Sequence, residues 1–296
     1  MGVVQGLTEF LPVSSSGHLV LFRQIFGVEA PPLLFDTMVH VGTLAAVFAV
    51  LWKDILAVLR KIAQPMTLFL IIGTIPAVAV ALVFRDGLET AFETGNTVGF
   101  AFLGTSALLV TAETLSKRVS KVNPRRPGRM NWLDALIVGA CQAIAVIPGV
   151  SRSGATLSGA LSRGLDRDLA ARFSFMLSIP IILGAALFQA VELLRGGGAD
   201  AGADAVEACA IPGADGLAAC AIPDANGAIA LADGAVAGIG LLPIAVGTAT
   251  AALVGFFAVR AMLKIVREKS LWGFAVYTGV LGALVLIDQF LLNLVF

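Results

Sequence analysis

The fold is decided by the stretch Pro12-Val13-Ser14-Ser15-Ser16-Gly17-His18 and by its second copy, Pro148-Gly149-Val150-Ser151-Arg152-Ser153-Gly154-Ala155-Thr156. Both copies contain Ser-x-Ser-Gly, and the offset of 137 residues between them also superimposes Gln5 on Gln142. Polar clusters flanked by short apolar helices are costly at membrane depth unless they line a site. The duplication predicts that this site lies between two halves of the protein.

The composition is that of a membrane protein. Hydrophobic residues make up 58% of the 296 residues, charged residues make up 14%, and the mean hydropathy is +0.92. A soluble domain of this size cannot bury so much apolar side chain, so the natural solvent is a bilayer. The net charge is zero, and the sequence holds no zinc-site spacing and no Walker or dinucleotide motif. We expect a membrane as partner and no nucleic acid.

Six apolar stretches are long enough to cross a hydrocarbon core, which requires about 20 helical residues. They cover residues 36–52, 66–84, 97–115, 171–194, 241–260 and 271–294. Two further segments, 1–27 and 131–163, are interrupted by the duplicated motif, and each of their apolar arms is too short to span. Each segment predicts a re-entrant helical hairpin. The first hairpin begins at once with Met1, and the sequence leaves open that an apolar half-helix before it is missing.

Basic residues indicate the orientation of these segments. Four loops hold sixteen of the 20 Lys and Arg, whereas the other loops hold only Arg23, Arg85 and Arg195. Because cytoplasmic loops carry the excess of basic residues, the four basic loops are predicted to be cytoplasmic. The remaining residue, Arg152, lies at the tip of the second motif and belongs to no loop.

With these sides assigned, the first hairpin enters from outside and the second from the cytoplasm, and each is followed by three spans. The predicted fold is an all-α polytopic membrane protein with an inverted-topology repeat, six transmembrane helices and two re-entrant hairpins whose tips meet near the midplane. Residues 1–296 form a single membrane domain, with repeat one at 1–117 and repeat two at 131–296. Residues 196–240 are rich in Gly, Ala and Asp and predict an extracytoplasmic insertion. Within it, Cys209 and Cys220 form either a disulfide or two unpaired thiols, and the sequence leaves both alternatives open.

The two tips favour an anion-binding site. Gly17 and Gly154 allow tight turns from which new helices start, and helix N-termini present N–H groups and a positive dipole end to an anion such as phosphate. Arg152 adds a permanent charge that matches phosphate oxygens bidentately. Hydroxyl donors surround the same point: Ser14, Ser15, Ser16, Ser151, Ser153 and Thr156. The alternative is that Ser and Gly only allow close helix packing, but this does not explain Arg152.

Glu9 and His18 turn this anion site into a candidate catalytic site. Glu9 lies on the same helical face as Gln5, and His18 follows the Ser-Ser-Ser-Gly turn by one residue. A carboxylate and an imidazole beside a phosphate cradle supply the acid and base that phosphoryl hydrolysis needs. His18 could instead be a satisfied core histidine, and Glu9 could serve as the ionic partner of Arg152. For His40, a structural hydrogen bond is favoured over a place in the cavity.

Two segments, Gln5-Gly6-Leu7-Thr8-Glu9-Phe10-Leu11-Pro12-Val13-Ser14-Ser15-Ser16-Gly17-His18 and Pro148–Thr156, resemble the signature segments of bacterial undecaprenyl-diphosphatase, the bacitracin-resistance type. The resemblance covers nearly the whole chain except 196–240. It implies hydrolysis of undecaprenyl diphosphate to the monophosphate and phosphate, which recycles the lipid carrier of cell-wall synthesis. It also implies a polyprenyl diphosphate lipid as substrate, a location in the bacterial plasma membrane, and an active site open to the outer face.

The resemblance assigns roles to particular residues. Glu9 matches the family's essential glutamate, His18 its histidine, Ser15 its central serine and Arg152 its arginine. It further implies a divalent cation, Mg²⁺ or Ca²⁺, with Glu9 and Gln5 as candidate ligands. Because Gln5 stands where some members have Glu, a cation bridged by two carboxylates is in doubt, although an amide oxygen still ligates a hard cation.

The chemistry of the tips leaves several mechanisms open. Ser15 attacks the phosphate or positions a water that attacks, Glu9 or His18 takes the proton, and His18 is also a candidate nucleophile. A lipid-phosphate transporter or flippase is the rival function, because inverted repeats with broken helices are a transporter design. Glu9 together with His18 favours catalysis, since simple phosphate binding needs neither. A homodimer is left open.

Overall fold

Helices form wherever the sequence is apolar and uninterrupted, and they end where the duplicated motif or a polar loop intervenes. The computed structural model describes residues 1–27, 33–84, 87, 97–120, 129–194, 240–292 and 294. Within these ranges, the first half comprises α1 (Gly2–Thr8), α2 (Ser15–Phe26), α3 (Leu33–Val50), α4 (Trp52–Arg60), α5 (Pro65–Val83) and α6 (Val98–Ser120). The second half comprises α7 (Trp132–Ile144), α8 (Arg152–Ser162), α9 (Arg167–Leu194), α10 (Leu241–Glu268) and α11 (Trp272–Ile287), followed by a π-helical turn at Asp288–Leu292.

Each of the six predicted spans coincides with a helix. Five helices are long and apolar enough to cross a membrane, namely Pro65–Val83, Val98–Val119, Arg167–Val191, Leu241–Glu268 and Trp272–Leu292. The first predicted span, 36–52, is not one straight helix, because α3 ends at Val50 and α4 continues at an angle of 80°. Counting that bent pair as one span gives six. The prediction of an all-α polytopic membrane protein is confirmed.

Both copies of the motif interrupt a helix in the same way. Ser14 caps α2 by accepting a 3.2 Å hydrogen bond from the Gly17 amide, and Ser151 caps α8 by accepting a 3.1 Å bond from the Gly154 amide. The two caps and the two glycines are each separated by the same 137 residues. An N-cap hydroxyl satisfies one of the N–H groups that a helix start leaves free. Each motif therefore ends one short helix and starts another.

Glycines let the arms of both hairpins approach neighbouring spans closely. A Cβ added at Gly2 of α1 would lie 2.5 Å from the Gly247 carbonyl oxygen of α10. A Cβ added at Gly139 of α7 would lie 2.5 Å from the Gly73 carbonyl oxygen of α5. Since Gly2 and Gly139 are also 137 residues apart, the two hairpins use equivalent positions to pack on the second span of the opposite half.

Ion pairs join the four basic segments at one end of the bundle. Arg172 of α9 bonds Asp54 of α4 at 2.6 Å and Asp168 at 3.0 Å, and Asp168 also pairs with Arg267 of α10. Arg167 holds Glu113 of α6 through two hydrogen bonds of 2.8 and 2.9 Å. Among the described residues, these contacts place the helix ends that adjoin the four basic segments on a common side, as the charge distribution predicts.

The base of the second hairpin lies close to this basic end. Asp134, in the first turn of α7, accepts a 2.9 Å hydrogen bond from Arg163, which follows α8. Asp134 also forms a reciprocal cap with Asn131. The predicted 196–240 insertion, with Cys209 and Cys220, lies outside the described residues except for Gly240, which precedes α10.

Candidate active site

The tips of the two broken helices contact each other. The Gly149 amide donates a 3.2 Å hydrogen bond to Ser16 Oγ, and Ser153 Oγ donates a 2.9 Å bond to the Leu11 carbonyl. Ser16 and Ser153 are equivalent residues of the two copies, so each tip holds the other through the same motif position. The N-termini of α2 and α8 consequently start within one polar cluster.

Glu9 lies at the centre of this cluster, directly after α1. Its carboxylate is 95% shielded and has a partner on each oxygen. Ser15 Oγ donates a 2.6 Å hydrogen bond to Oε2, and Arg152 Nη2 donates a 2.6 Å bond to Oε1. Gln5 Nε2 adds a 3.1 Å bond to Oε2 from one helical turn earlier. A buried carboxylate requires such partners, since an unpaired charge would be strongly destabilising.

Arg152 connects the two hairpins. It is the first residue of α8, and its charged fork reaches across to Glu9 while 14% of the side chain stays exposed. Its second terminal nitrogen, Nη1, is buried and has no hydrogen-bond partner among the described residues. A buried guanidinium N–H without a partner is unfavourable and suits an anion that arrives as ligand. The residue thus binds Glu9 with one nitrogen and leaves the other available.

His18 lies in the first turn of α2 and is hydrogen-bonded through both ring nitrogens. Nδ1 is 2.7 Å from the Ser14 carbonyl oxygen, which can only accept, so Nδ1 carries a proton. Nε2 is 2.7 Å from the Tyr277 hydroxyl of α11, and the two rings stack with centroids 5.7 Å apart. Phe102 of α6 contacts the same imidazole edge-to-face. His18 therefore contacts Tyr277 rather than Ser15.

The remaining predicted phosphate ligands form hydrogen bonds within the protein at the two tips. Ser14 and Ser151 act as helix caps, and the Ser151 amide donates to Thr105 Oγ1 at 3.0 Å. The Thr156 hydroxyl is fully buried, donates to the Arg152 carbonyl at 2.9 Å and contacts Ser174 Oγ. These hydroxyls shape the cluster through their contacts with the protein, and phosphate binding by them stays a prediction.

Strain is concentrated at the same place. Ser14 has a φ of +72° and is the one non-glycine residue with positive φ among those that the structure describes. Gly149 has a φ of +90° at the opposite tip. Backbone in this region is disfavoured for residues that carry a side chain, and such residues cluster at functional sites.

Side-chain oxygen and nitrogen atoms of Gln5 and His40 lie beside Glu9. The described part of the chain holds no group of three or more His, Cys, Asp or Glu residues arranged for a metal ion. However, Gln5 is completely buried and its Oε1 has no hydrogen-bond partner within the described ranges, while His40 Nε2 of α3 is 3.7 Å from Glu9 Oε2. A carboxylate with an orphaned amide oxygen is a donor pair that a hard divalent cation accepts, so the residues present fit such an ion.

Sequence reasoning underestimated two residues at this site. His40 does form the predicted structural bond, 2.7 Å from Nδ1 to the Asp36 carbonyl oxygen, but its other nitrogen also faces Glu9. Tyr277 lies outside both copies of the motif, and it binds His18 from 259 residues away. A spacing of one helical turn links Gln5 to Glu9 in the sequence, whereas no local pattern links α3 or α11 to the motif.

Comparison with known proteins identifies relatives over the whole chain. Residues 1–284 match the family described as bacitracin resistance protein BacA. An undecaprenyl-diphosphatase of Carboxydothermus hydrogenoformans is 40% identical over 289 residues, covering 98% of this chain and 95% of the relative. Undecaprenyl-diphosphatase 4 of Bacillus thuringiensis is 37% identical over 98% of this chain and 95% of its own length. An undecaprenyl-diphosphatase of Halothermothrix orenii is 34% identical over 97% of this chain and 95% of its own.

Proposed function

This chain belongs to the BacA family, and we propose that it hydrolyses undecaprenyl diphosphate to undecaprenyl phosphate and inorganic phosphate. One observation carries the proposal: Ser15 and Arg152, from different hairpins, bind the two oxygens of the same buried carboxylate, Glu9. A nucleophile beside its base, with a cation alongside, is the arrangement that phosphoryl transfer requires. The names of the relatives favour hydrolysis over the transporter alternative.

Arg152 binds the terminal phosphate. Its Nη1 has no protein partner, and the first-turn N–H groups of α2 and α8 start at the same cluster. Donors that are already fixed in place stabilise the charge on the equatorial oxygens without reorganisation. Because Arg152 is simultaneously held by Glu9, its fork keeps one orientation in the absence of substrate.

Ser15 attacks the terminal phosphorus, and Glu9 takes the Ser15 proton through the 2.6 Å hydrogen bond between them. The new bond joins Ser15 Oγ to phosphorus, and the anhydride bond breaks so that undecaprenyl phosphate leaves. Water then hydrolyses the phosphoserine and releases inorganic phosphate. A water molecule held by Ser15 and Glu9 is the alternative nucleophile, and it uses the same base.

His18 is a weaker candidate for proton transfer in this arrangement. Its Nδ1–H is occupied by the Ser14 carbonyl, and its Nε2 is occupied by the Tyr277 hydroxyl. Attack by His18 on phosphorus would first require Tyr277 to move away. His18 and Tyr277 instead fix the strained turn at Ser14, on which the position of Ser15 depends.

A divalent cation, Mg²⁺ or Ca²⁺, fits the site through Glu9 and the Gln5 amide oxygen. Such an ion would neutralise charge on the diphosphate and draw its oxygens towards Ser15. The buried Gln5 Oε1, which has no partner in the protein, supports this part of the proposal.

We further propose that the two halves form an inverted-topology repeat with both tips near the midplane of the bacterial plasma membrane. The equivalent Gly2 and Gly139 contacts and the common basic end support it. The site opens to the outer face, where hydrolysis recycles the lipid carrier for cell-wall synthesis and confers bacitracin resistance. A homodimer stays a prediction.

Phosphate release from purified protein tests the proposal. Wild type and Glu9→Gln protein are incubated in detergent with undecaprenyl diphosphate, with and without chelator, and inorganic phosphate is measured. We expect release by wild type alone, and less of it with chelator. Transbilayer movement of the lipid in vesicles without phosphate release would instead support the transporter.

A further inference from the structure

His40 is placed to bind a cation rather than only to support its own helix. Its Nδ1 is 2.7 Å from the Asp36 carbonyl, which only accepts, so the Nδ1 proton is fixed there. Histidines that ligate metals nearly always donate their other N–H to a carbonyl or carboxylate in this way. The ring is thereby oriented with Nε2 towards Glu9, and 34% of the side chain remains exposed.

The side chains of His40 and Glu9 face each other without a direct hydrogen bond. With its Nδ1 bonded to the Asp36 carbonyl, the ring directs Nε2 to Glu9 Oε2 at 3.7 Å, which is longer than a hydrogen bond. Two ligand atoms that each lie about 2.1 Å from one ion are about 3.0 Å apart when the ligand–ion–ligand angle is 90°, and about 3.6 Å apart when it is 120°. The observed spacing fits two ligands of one ion.

Gln5 contributes a second, independent observation. Its side chain is completely buried, its Nε2 is 3.1 Å from the same Glu9 oxygen, and its Oε1 has no partner. An amide that turned over would present Oε1 to the same point. Gln5 of α1, Ser15 of α2 and His40 of α3 therefore converge on Glu9 Oε2, while Arg152 occupies the opposite oxygen.

We propose that His40 is a ligand of the active-site cation, together with Glu9 and Gln5, and that a first-row ion such as Mn²⁺ is a suitable probe of this site. Imidazole nitrogen suits transition metals, whereas Ca²⁺ takes oxygen ligands almost exclusively. The inference rests on the proposed function only in that the ion would neutralise charge on the diphosphate substrate. Glu9 is the one carboxylate in this proposed ligand set, and His40 would add a nitrogen ligand to it.

Mn²⁺ binding to the substrate-free protein tests this directly. The chain contains only two histidines, His18 and His40. Protein purified in detergent, with any affinity tag removed, is titrated with Mn²⁺, and pulsed electron paramagnetic resonance records nitrogen coupling to the bound ion. We expect ¹⁴N imidazole coupling in wild type, and its replacement by ¹⁵N coupling when the protein is grown with [¹⁵N]histidine. The labelled wild type gives this result without any substitution.

Matched variants assign the nitrogen. His40→Gln should abolish the coupling and weaken Mn²⁺ binding at least about tenfold, with a smaller change for Ca²⁺, whereas His18→Gln should keep the coupling. Bound Mn²⁺ without nitrogen coupling, or coupling that persists in His40→Gln and disappears in His18→Gln, would overturn the inference. Phosphate release by the same wild-type preparation is measured separately, so failure of the proposed function is distinguished from failure of the ligand assignment.

Discussion

Replacing Arg152 by Lys removes the fork while keeping the charge. Arg152 uses Nη2 for the 2.6 Å bond to Glu9 and leaves Nη1 for phosphate. A lysine ammonium is a point charge that cannot donate to Glu9 and to the phosphate in the same geometry. The variant therefore loses one hydrogen bond to a charged group, about 1.5–3 kcal/mol, which corresponds to about a 10- to 150-fold decrease in kcat/KM. Phosphate release in mixed micelles measures it.

The Arg167–Glu113 pair offers a matched control at the other end of the bundle. Arg167 also binds a buried carboxylate, through two bonds of 2.8 and 2.9 Å, and it bonds the Lys269 carbonyl. Arg167→Lys should lower the temperature of unfolding without changing kcat/KM of the folded protein. Retention of kcat/KM within about threefold in Arg152→Lys, or an equal loss in both variants, would refute phosphate binding by the Arg152 fork.

Three further substitutions test other contacts. Ser15→Ala should decrease kcat at least about 10³-fold with unchanged thermal unfolding, and acid-quenched protein should then carry no phosphoserine; full turnover would exclude Ser15 as nucleophile. Tyr277→Phe keeps the stacked ring but loses the hydrogen bond to His18, which contributes about 0.5–1.5 kcal/mol. The rate of phosphate release should therefore fall about two- to tenfold. An unchanged rate would contradict a role of Tyr277 in fixing the turn at Ser14. Gly139→Ala places a Cβ 2.5 Å from a carbonyl oxygen of α5 and should lower the free energy of unfolding in detergent by about 1–3 kcal/mol. Gly104→Ala is the control, because its Cβ meets no atom within 4 Å. Equal stability of the two variants would argue against the close approach.

The helices could be predicted because their signals are local. Apolar length predicts a helix at each span and the motif predicts the two breaks, although the helix predicted at 241–260 continues to Glu268. The bend after Val50 was missed, because the apolar pattern continues to Trp52 and ends only at the charged residue Lys53. A hydropathy window averages over such a bend.

The site could be predicted only where the motif itself supplies it. Glu9 and Arg152 follow from the motif and its duplication, whereas the family resemblance singles out Ser15, and the structure brings the three into direct contact. His40 and Tyr277 enter through the packing of α3 and α11, which depends on contacts between distant segments. A lone histidine on an apolar helix gives no sign of the carboxylate that it faces until the helices are assembled.

Duplication explains why the two halves of the site cooperate without being alike. The 137-residue offset places Arg152 at the position equivalent to Ser15, the first residue of the new helix in each copy. Both side chains therefore leave equivalent points and reach one carboxylate from opposite sides, Ser15 to Oε2 and Arg152 to Oε1. Glu9 has Val146 as its counterpart, so a single carboxylate serves both tips. A symmetric scaffold that carries asymmetric side chains places a nucleophile and a phosphate-binding cation around one base, which neither copy could do alone.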